Sequence, residues 1–299
     1  MSLASANFQP LVTIVIPTLS RADYAINTLR DCLSQDYGLT EIVVVEQSKK
    51  SQELVEYCER HKDKIAYLFL EKPNTARAKN IGAKSGTGEI VVFLDDDISL
   101  PGDFISKYVA EHADSSVGAV CSKILQPSDP LPAQNDGVVG RVKPYGSIIA
   151  NYGSNKRTQV DTVHGCAAYK RSVLDQVGGF EESFIGNAMR EESDLSMRVK
   201  KEGYLLVFDP SNEFTHIKAP TGGTRSKQDR LDWYYDFFHN DFLFFLRNRR
   251  RYWMPIFFIS KLRPILACGW YYGKGRPRAV LLPLRAYYAG YKTYKRIKK

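Results

Sequence analysis

Acidic residues are missing from the end of this 299-residue chain, and none follows Asp241. Residues 242–299 hold 15 Lys or Arg, whereas residues 1–241 carry 27 basic and 33 acidic residues. The formal net charge of +9 averages over these two parts and is a poor guide to binding partners. The sequence therefore predicts a mildly acidic body followed by a strongly basic tail.

Cysteine is scarce, and long apolar runs are absent. The five cysteines form no Cys-x-x-Cys pair, so we expect neither a disulfide framework nor a zinc site, but the reduced thiols of a cytosolic protein. The first ten residues have neither the basic nor the apolar segment of a secretory signal. Because no run of about 18 apolar residues occurs, no membrane-spanning helix is expected.

Short β-branched runs alternate with helical patterns between residues 11 and 94. We predict strands over 11–16, 41–45, 65–70 and 89–94, separated by helices over 22–35, 52–60 and 75–85. This order predicts an α/β fold, with a Rossmann-like, mostly parallel sheet flanked by helices. Ligands of such sheets bind beyond the carboxyl ends of the strands. Those ends include Pro17-Thr18, Glu46-Gln47-Ser48 and Asp95-Asp96-Asp97.

The later part of the body is less regular. A segment over 126–160, rich in Pro, Gly and Asn, predicts irregular or hairpin structure. A strand over 165–169 and helices over 171–177 and 193–202 are expected next. The last strand, over 204–208, is expected to end at Asp209-Pro210.

Three consecutive aspartates, Asp95, Asp96 and Asp97, follow the fourth predicted strand. Like charges so close repel, and one carboxyl would take up a proton unless a cation is present. A hard divalent ion removes this penalty, and Mg²⁺ or Mn²⁺ with a substrate diphosphate is the usual occupant. The alternative is a solvated acidic turn at a helix N-terminus, but a buried apolar strand running into the triplet favours a metal site.

A second cluster of carboxylates, Glu191, Glu192 and Asp194, precedes another predicted helix. One of the glutamates can face a cleft and act as a general base on an attacking hydroxyl. Asp194 lies on the first helical turn, where it can equally serve as a cap. Because metal-assisted group transfer needs both a metal centre and a base, all three carboxylates are candidate catalytic residues.

Two further polar features lie near the predicted strand ends. Arg77 and Lys79 lie in the helix that begins after Asn74, and either cation can reach a nucleotide phosphate or ribose. A solvated helix face is the alternative for this segment. His216 lies between the last predicted strand and a glycine-rich loop, a position compatible with a structural role and with a metal-ligand role.

Taken in order, these segments resemble the family 2 glycosyltransferases, which are inverting enzymes of the GT-A fold. The resemblance covers about residues 10–220. No single stretch is specific to the family, but the set of stretches in this order is. The matching stretches are VTIVIPTLSR (12–21), EIVVVEQS (41–48), NTARAKNIGAKSGTGEIVVFLDDD (74–97), GCAAYKRSVLDQVGGFEE (165–182) and EESDLSMRVKKEGY (191–204).

The resemblance implies roles for the matching residues. Asp97 is implied as the direct metal ligand, together with Asp95 and His216. Glu192 takes the place of the family's base and Glu191 that of the residue before it. The residues implied to contact the nucleotide sugar are Pro17, Thr18, Arg21, Glu46, Gln47, Ser48, Asn74, Arg77, Asn80, Asp95, Asp96 and Gly165.

Two positions depart from the family pattern. The second strand ends in Glu46-Gln47, where the family usually has two aspartates, and this leaves recognition of the nucleotide base open. Glu192 replaces the usual aspartate and is one methylene longer, so the choice of base between Glu191 and Glu192 also stays open.

The implied activity is metal-dependent, inverting transfer of a sugar from a nucleotide sugar. We expect a UDP-sugar as donor, Mg²⁺ or Mn²⁺ as cofactor, and a hydroxyl of a glycan or lipid-linked acceptor, as in cell-surface polysaccharide synthesis. A nucleotidyltransferase of related fold is one alternative, but residues 17–25 lack its glycine-rich basic signature. A non-catalytic sugar-nucleotide-binding protein is the other, and the presence of both carboxylate clusters argues against it.

The tail forms the second predicted unit, so we assign residues 10–225 to the glycosyltransferase domain and 226–299 to a helical extension. Residues 233–294 hold 19 of the 36 aromatic residues, interleaved with Lys and Arg. Rings beside cations suit an anionic membrane surface, so we expect peripheral attachment at the cytoplasmic face. Completion of the core is the main alternative, and we do not expect nucleic acid as a partner. The extension should consist of several short helices, broken by Pro255, Pro264, Pro277 and Pro283.

Overall fold

A computed structural model describes residues 8–126, 137–223, 230–272, 276 and 279–298. The first seven elements follow the predicted alternation of strands and helices. Ile14 and Ile16 pack on one face of the first strand and Val15 on the other, so the strand reads as an unbroken apolar run. The elements are β1 (Val12–Leu19), α1 (Ala22–Leu33), β2 (Thr40–Gln47), α2 (Gln52–Arg60), β3 (Ile65–Leu70), α3 (Thr75–Ser85) and β4 (Ile90–Phe93).

Apart from one hairpin, the middle of the body holds elements that the sequence pattern did not reveal. The hairpin expected within 126–160 is present as two short antiparallel strands, while residues 127–136 lie outside the described part of the chain. The elements are β5 (Ile98–Ser99), α4 (Phe104–His112), β6 (Val117–Leu125), β7 (Arg141–Val142), β8 (Ile148–Ile149) and β9 (Thr158–Gln159).

The body ends with β10 (Ala167–Lys170), α5 (Arg171–Val177), α6 (Glu191–Lys201) and β11 (Leu205–His216). The prediction that the last strand ends at Asp209-Pro210 is wrong, because β11 runs on to His216. Its register against β6 shifts between Asp209 and Glu213, and such a bulge accommodates a proline, which has no N–H to donate. The continuation places His216 opposite Ile98 of β5.

Nine of the eleven strands in the described part of the chain form one mixed sheet, and β7 and β8 pair with each other separately. The order in the mixed sheet is β3-β2-β1-β4-β10-β6-β11-β5, with β9 paired to β11. The first four strands of that order are parallel to one another, as are β6 and β11, whereas β10 is antiparallel to its two neighbours. The register sets Thr18 beside Glu46 and Val15 beside Phe93. The carboxyl ends of β1, β2 and β4 therefore meet at one edge, just before the aspartate triplet.

The basic tail is helical and interrupted, as predicted. Pro255 and Pro283 lie in the first turns of their helices, where no helical hydrogen bond is lost; Pro277 lies outside the described residues. No helix in the described ranges has the length and apolarity needed to cross a membrane. The elements are α7 (Arg230–Asn248), a 3-10 turn (Arg251–Trp253), α8 (Met254–Ser260), α9 (Leu262–Ala267), a π-helical turn (Cys268–Tyr272) and α10 (Leu282–Ile297).

Most aromatic residues of α7 belong to the hydrophobic core. Phe238 and Phe245 are buried, and the Phe242 ring lies 5.5 Å from Phe257 and 5.3 Å from Tyr287, measured between centroids. The expectation that the aromatic residues of the tail face a membrane is therefore wrong for α7, whose rings complete a core with α8 and α10. The unit boundary near residue 225 stays a prediction, since 224–229 lie outside the described part.

Candidate active site

Asp96 anchors the aspartate triplet to the end of β1. Thr18 Oγ1 donates to Asp96 Oδ2 at 2.7 Å, and Arg21 Nη1 lies 3.0 Å from Asp96 Oδ1. Burial, assisted by the charge of Asp97, raises the pKa of Asp96 to about 6, although Thr18 and Arg21 oppose the rise. Asp96 thus faces β1, and its neighbours on either side are left to face the cleft.

Asp97 is held ionised at the end of β11. Its Oδ1 lies 3.3 Å from His216 Nε2, and its Oδ2 accepts the Ala219 backbone N–H at 2.9 Å and lies 3.1 Å from Arg21 Nη1. Burial alone would raise the pKa of Asp97, but His216, the Ala219 amide and Arg21 lower it to about 2. The bulge in β11 is what carries His216 to this position.

Asp95, Asp97 and His216 form a group that fits a divalent cation. Each offers one ligand atom, and these atoms lie within 4.8 Å of one another. Carboxylate oxygens suit Mg²⁺ and Mn²⁺, and imidazole is a common transition-metal ligand. Burial and the charges of Asp97 and Glu192 raise the pKa of Asp95, although Lys79 and His216 oppose the rise. A cation between the two aspartates would remove this repulsion.

A second carboxylate centre surrounds Lys79. The Lys79 ammonium lies 2.7 Å from Glu191 Oε1 and 3.3 Å from Glu192 Oε1. The Glu191 side chain is 1% exposed and the Glu192 side chain 25% exposed, so of the two only Glu192 is open to a substrate. Burial raises the pKa of Glu191.

Gly165 lies between the two carboxylate centres. A Cβ at this position would lie 3.2 Å from Glu192 Oε1, 3.6 Å from Asp95 Oδ1 and 3.9 Å from Lys79 Nζ. The missing side chain therefore leaves a space bordered by a candidate base on one side and by a candidate metal ligand on the other. Such a space is where a reacting atom can lie.

The turn that aims the glutamates of α6 depends on the tail. Arg190, directly before Glu191, has a φ of 82°, in the left-handed region that favours glycine. Arg190 Nε donates to Asp241 Oδ1 of α7 at 2.8 Å, and Lys261 Nζ lies 2.6 Å from Asp241 Oδ2. These buried ion pairs hold Arg190 in an unfavourable conformation and so fix the start of α6.

Asp194 does not join the cleft. It is fully buried and accepts hydrogen bonds from Arg247 at 2.7 Å and Asn248 at 2.8 Å, both in α7, and from Arg198 Nε at 3.0 Å. These partners lower the pKa of Asp194 in spite of its burial. The catalytic role expected for Asp194 is therefore corrected to a structural one, the attachment of α6 to α7.

A cleft of about 590 Å³ adjoins the triplet, between the loops that follow β1 and β2. Glu46 lies in its wall and accepts the Ser51 backbone N–H at 3.0 Å and the Tyr67 hydroxyl at 2.5 Å. Arg21 lines both this cleft and a smaller pocket of about 130 Å³ that contains the triplet, His216 and the predicted residues Pro17 and Gln47. The two pockets together suit a nucleoside joined to a diphosphate.

Four of the residues expected to contact the donor do not line either of these two pockets. Arg77 and Ser48 are exposed, and neither is among the residues that line the two pockets. Asn74 caps α3, its Oδ1 accepting the Arg77 backbone N–H at 2.9 Å. Asn80 holds a loop of the body, since its Nδ2 donates to the Phe180 carbonyl at 2.9 Å.

Sequence reasoning missed two features of the site. The sequence predicts Lys79 to be a ligand of a nucleotide phosphate or ribose, or part of a solvated helix face, because nothing local indicates that its partner is Glu191, 112 positions away. The loop at 221–223 was not assigned either, although Arg21 Nε donates to the Thr221 carbonyl at 2.9 Å. The Gly222-Gly223 pair was the available signal, because a Cβ at Gly222 would lie 2.6 Å from Arg21 Cγ.

Comparison with known proteins identifies the family. The model of glycosyl transferase family 2 matches residues 13–178, which is more than half of the chain. The chain therefore belongs to glycosyl transferase family 2, and the resemblance drawn from the sequence is confirmed.

Curated relatives match most of the chain at low identity. The O-antigen biosynthesis protein RfbC of Myxococcus xanthus is 25% identical over 226 residues, covering 70% of this chain and 17% of RfbC. The O-antigen chain rhamnosyltransferase RfbN of Salmonella typhimurium is 24% identical over 204 residues, covering 66% of this chain and 63% of RfbN. The chain thus spans less than two thirds of the length of either relative.

A solved structure shows the same fold. The mannosyltransferase PcManGT from Pyrobaculum calidifontis, in complex with GDP-Man and Mn²⁺, superposes with a TM-score of 0.57 at 21% identity. The match covers 96% of this chain and 76% of PcManGT. The predicted GT-A-type α/β fold is thereby confirmed.

Proposed function

We propose that this glycosyltransferase is metal-dependent and inverting, and that it moves a sugar from a nucleotide sugar to an acceptor hydroxyl. The observation that carries the proposal is the arrangement across Gly165, with Asp95, Asp97 and His216 on one side and Glu192 on the other. A single displacement needs a base for the attacking hydroxyl and positive charge for the leaving diphosphate. The two centres would supply these in one cleft.

Asp95, Asp97 and His216 would hold Mg²⁺ or Mn²⁺, which when bound supplies positive charge to the departing diphosphate. That PcManGT was solved with Mn²⁺ supports a divalent ion here. Arg21 fixes both Asp96 and Asp97 and so keeps the triplet in place. Thr75, at the N-terminus of α3, lines the same pocket, and the backbone N–H groups of such a terminus favour phosphate.

Glu192 is the proposed base because Glu191 is buried against Lys79. One Glu192 oxygen lies 3.3 Å from the Lys79 ammonium, and this contact orients the carboxylate. As the acceptor oxygen bonds to the anomeric carbon, Glu192 takes its proton and the bond from that carbon to the diphosphate breaks. Attack from the face opposite the leaving group inverts the configuration, and nucleoside diphosphate is released.

The donor is proposed to be a UDP-sugar, with its nucleoside in the cleft beside Glu46. A GDP-sugar is the second candidate, because PcManGT was solved with GDP-Man. The acceptor is proposed to be a glycan or a lipid-linked glycan of cell-surface polysaccharide synthesis, since RfbC and RfbN are named for O-antigen synthesis. A lipid-linked acceptor would place the enzyme at the cytoplasmic face of a membrane.

Product analysis tests the proposal. The purified chain is incubated with Mn²⁺ and a panel of UDP-, GDP- and TDP-sugars, and released nucleotide is separated by chromatography. Slow release of nucleoside diphosphate from one donor, stopped by EDTA, is expected. Pyrophosphate release from a nucleoside triphosphate and a sugar phosphate would instead identify a nucleotidyltransferase. Binding of a donor without turnover, even with candidate acceptors, would identify a non-catalytic binding protein.

A further inference from the structure

The tail carries a stripe of apolar side chains that nothing in the described structure covers. The stripe runs along α8, α9 and the π-helical turn, where every third or fourth residue points outward, and its members are between 40% and 79% exposed. They are Ile256, Ile259, Leu262, Leu266 and Trp270. On a solvated helix surface such a repeat is expected to be polar.

A second stripe lies on α10. Ala286, Tyr287 and Gly290 are buried, and this face of the helix packs on α7. The remaining surface is again apolar at intervals of three and four residues, with exposures between 39% and 65%. Its members are Leu284, Tyr288 and Tyr291 on the helix and Leu281 directly before it. The helix therefore has apolar residues on two faces, and within the described part of the chain only one of these faces packs on another element.

The two stripes belong to neighbouring helices. The Phe258 ring of α8 lies 5.3 Å from the Tyr287 ring of α10, measured between centroids. The two stripes thus lie on helices that touch through their buried faces, and each is a run of exposed apolar residues rather than a single one. We call them together the tail surface.

The charged side chains on the helices that carry the two stripes, α8, α9 and α10, are all basic. Arg263, Arg285 and Lys292 are exposed beside the stripe residues, and no carboxylate side chain follows Asp241. A second copy of the chain would bring like charges together, which opposes self-association through this surface. An anionic bilayer offers both an apolar interior and complementary charge.

We propose that the tail surface docks on an anionic lipid bilayer. The apolar side chains would enter the boundary between headgroups and acyl chains, with Trp270 and Tyr288 at headgroup level and the arginines on lipid phosphates. This inference deepens the proposed function, since it names the surface through which the enzyme would approach a lipid-linked acceptor. It predicts binding that requires neither donor nor acceptor.

Flotation of the full chain with lipid vesicles tests the inference. Vesicles contain phosphatidylcholine alone or with about 30% phosphatidylglycerol, and the anionic vesicles are expected to carry the protein while the neutral ones carry far less. The pair Leu262→Ser with Leu266→Ser, and separately Leu284→Ser with Tyr288→Ser, should each weaken partition at least about tenfold. Arg263→Gln with Arg285→Gln should weaken it about fivefold for each charge removed. Point variants are used because α7 is part of the core and a truncated chain would not fold alike.

The matched control is the pair Leu39→Ser with Val138→Ser, which are 48% and 50% exposed on the body; its flotation should equal that of the wild type. Equal flotation of the stripe variants, or none by the wild type, overturns the inference. So does a wild-type dimer in sedimentation that the stripe variants convert to monomer. Donor hydrolysis is measured on the same samples. Flotation without donor hydrolysis would reject the proposed function and leave the docking inference standing. Donor hydrolysis without flotation would reject the docking inference and leave the proposed function standing.

Discussion

The ammonium of Lys79 lies 2.7 Å from Glu191 and 3.3 Å from Glu192, two neighbours on the first turn of α6. Burial opposes the charge on Lys79, but Glu191, Glu192 and Asp95 together raise the pKa of Lys79 above its usual value. One buried cation thus serves carboxylates from both centres of the site. Its removal should affect the reaction as well as the fold.

Replacement of Lys79 is expected to lower turnover. Lys79→Met leaves Glu191 buried without its cation and Glu192 without an orienting contact, so kcat should fall at least about 100-fold and stability by about 3–5 kcal/mol. Lys79→Arg keeps a cation at this position, so it should recover part of the lost turnover and part of the lost stability. Steady-state kinetics and urea unfolding measure the effects, with Lys84→Met as the control because Lys84 is exposed on the same helix. Wild-type kcat in Lys79→Met would contradict the role.

Glu192→Gln is expected to separate binding from chemistry. The amide keeps the shape of the side chain but cannot accept the acceptor's proton, so kcat should fall about 10²–10⁴-fold while the Kd for donor changes little. Isothermal titration with donor and Mn²⁺, together with single-turnover rates, measures both. Glu202→Gln, exposed at the end of the same helix, is the control. Near-normal turnover of Glu192→Gln would move the assignment to another residue.

Gly165→Ala tests the space between the two centres. The added Cβ would approach Glu192 Oε1 to 3.2 Å, a tight contact that should displace the glutamate and lower kcat while leaving the fold intact. The control is Gly38→Ala, where a Cβ meets nothing within 4 Å. Equal activity of both variants would show that no reacting atom uses this space.

Asp194→Asn tests whether Asp194 stabilises the fold or takes part in the reaction. Loss of the charge removes the ion-pair partner of Arg198 and leaves Arg247 with Glu181, so the free energy of unfolding should fall by about 3–5 kcal/mol. The kcat of the remaining folded protein should stay within a few-fold of wild type at low temperature. Urea unfolding and active-site titration with a tight donor analogue measure the two quantities. A catalytic loss like that of Glu192→Gln, at unchanged stability, would restore Asp194 to the reaction.

His112 is expected to make the fold sensitive to mild acid. Burial, assisted by the charge of Lys170, lowers the pKa of His112 to about 4. In the unfolded chain His112 binds a proton below about pH 6.5, whereas in the folded protein it stays neutral until about pH 4. The free energy of unfolding therefore falls as the pH drops from about 6.5 to about 4. By pH 5 the loss is about 2 kcal/mol. Urea unfolding at pH 7.5 and 5.0 should show a correspondingly smaller loss in His112→Phe, and identical losses would rule His112 out.

The local pattern was sufficient to predict the first half of the sheet. Residues 11–94 alternate between β-branched runs and helical spacing, and both faces of β1 and β4 are buried, so propensity and burial agree there. The aspartate triplet was also predictable, because it directly follows a buried strand in a fold whose strand ends bind ligands.

Other parts of the site could not be predicted from local pattern. The continuation of β11 past Pro210 depends on a bulge against β6, and this long-range pairing is what brings His216 to Asp97. In composition, the aromatic residues of α7 resemble those of a helix at a membrane interface. In the structure, most of them pack in a core with α8 and α10. Composition cannot distinguish a helix face that meets protein from one that meets solvent.

The sequence by itself determined the order of strands and helices over residues 11–94, the family, and the residue types available to the chemistry, because these depend on neighbours along the chain. Only the tertiary structure decided which carboxylate is open and which is buried. It set Glu192 at the cleft, Glu191 against Lys79 and Asp194 on Arg247, three outcomes within one helical turn. The physical reason is that burial and pairing, which set the properties of a charged side chain, come from elements far apart in the sequence.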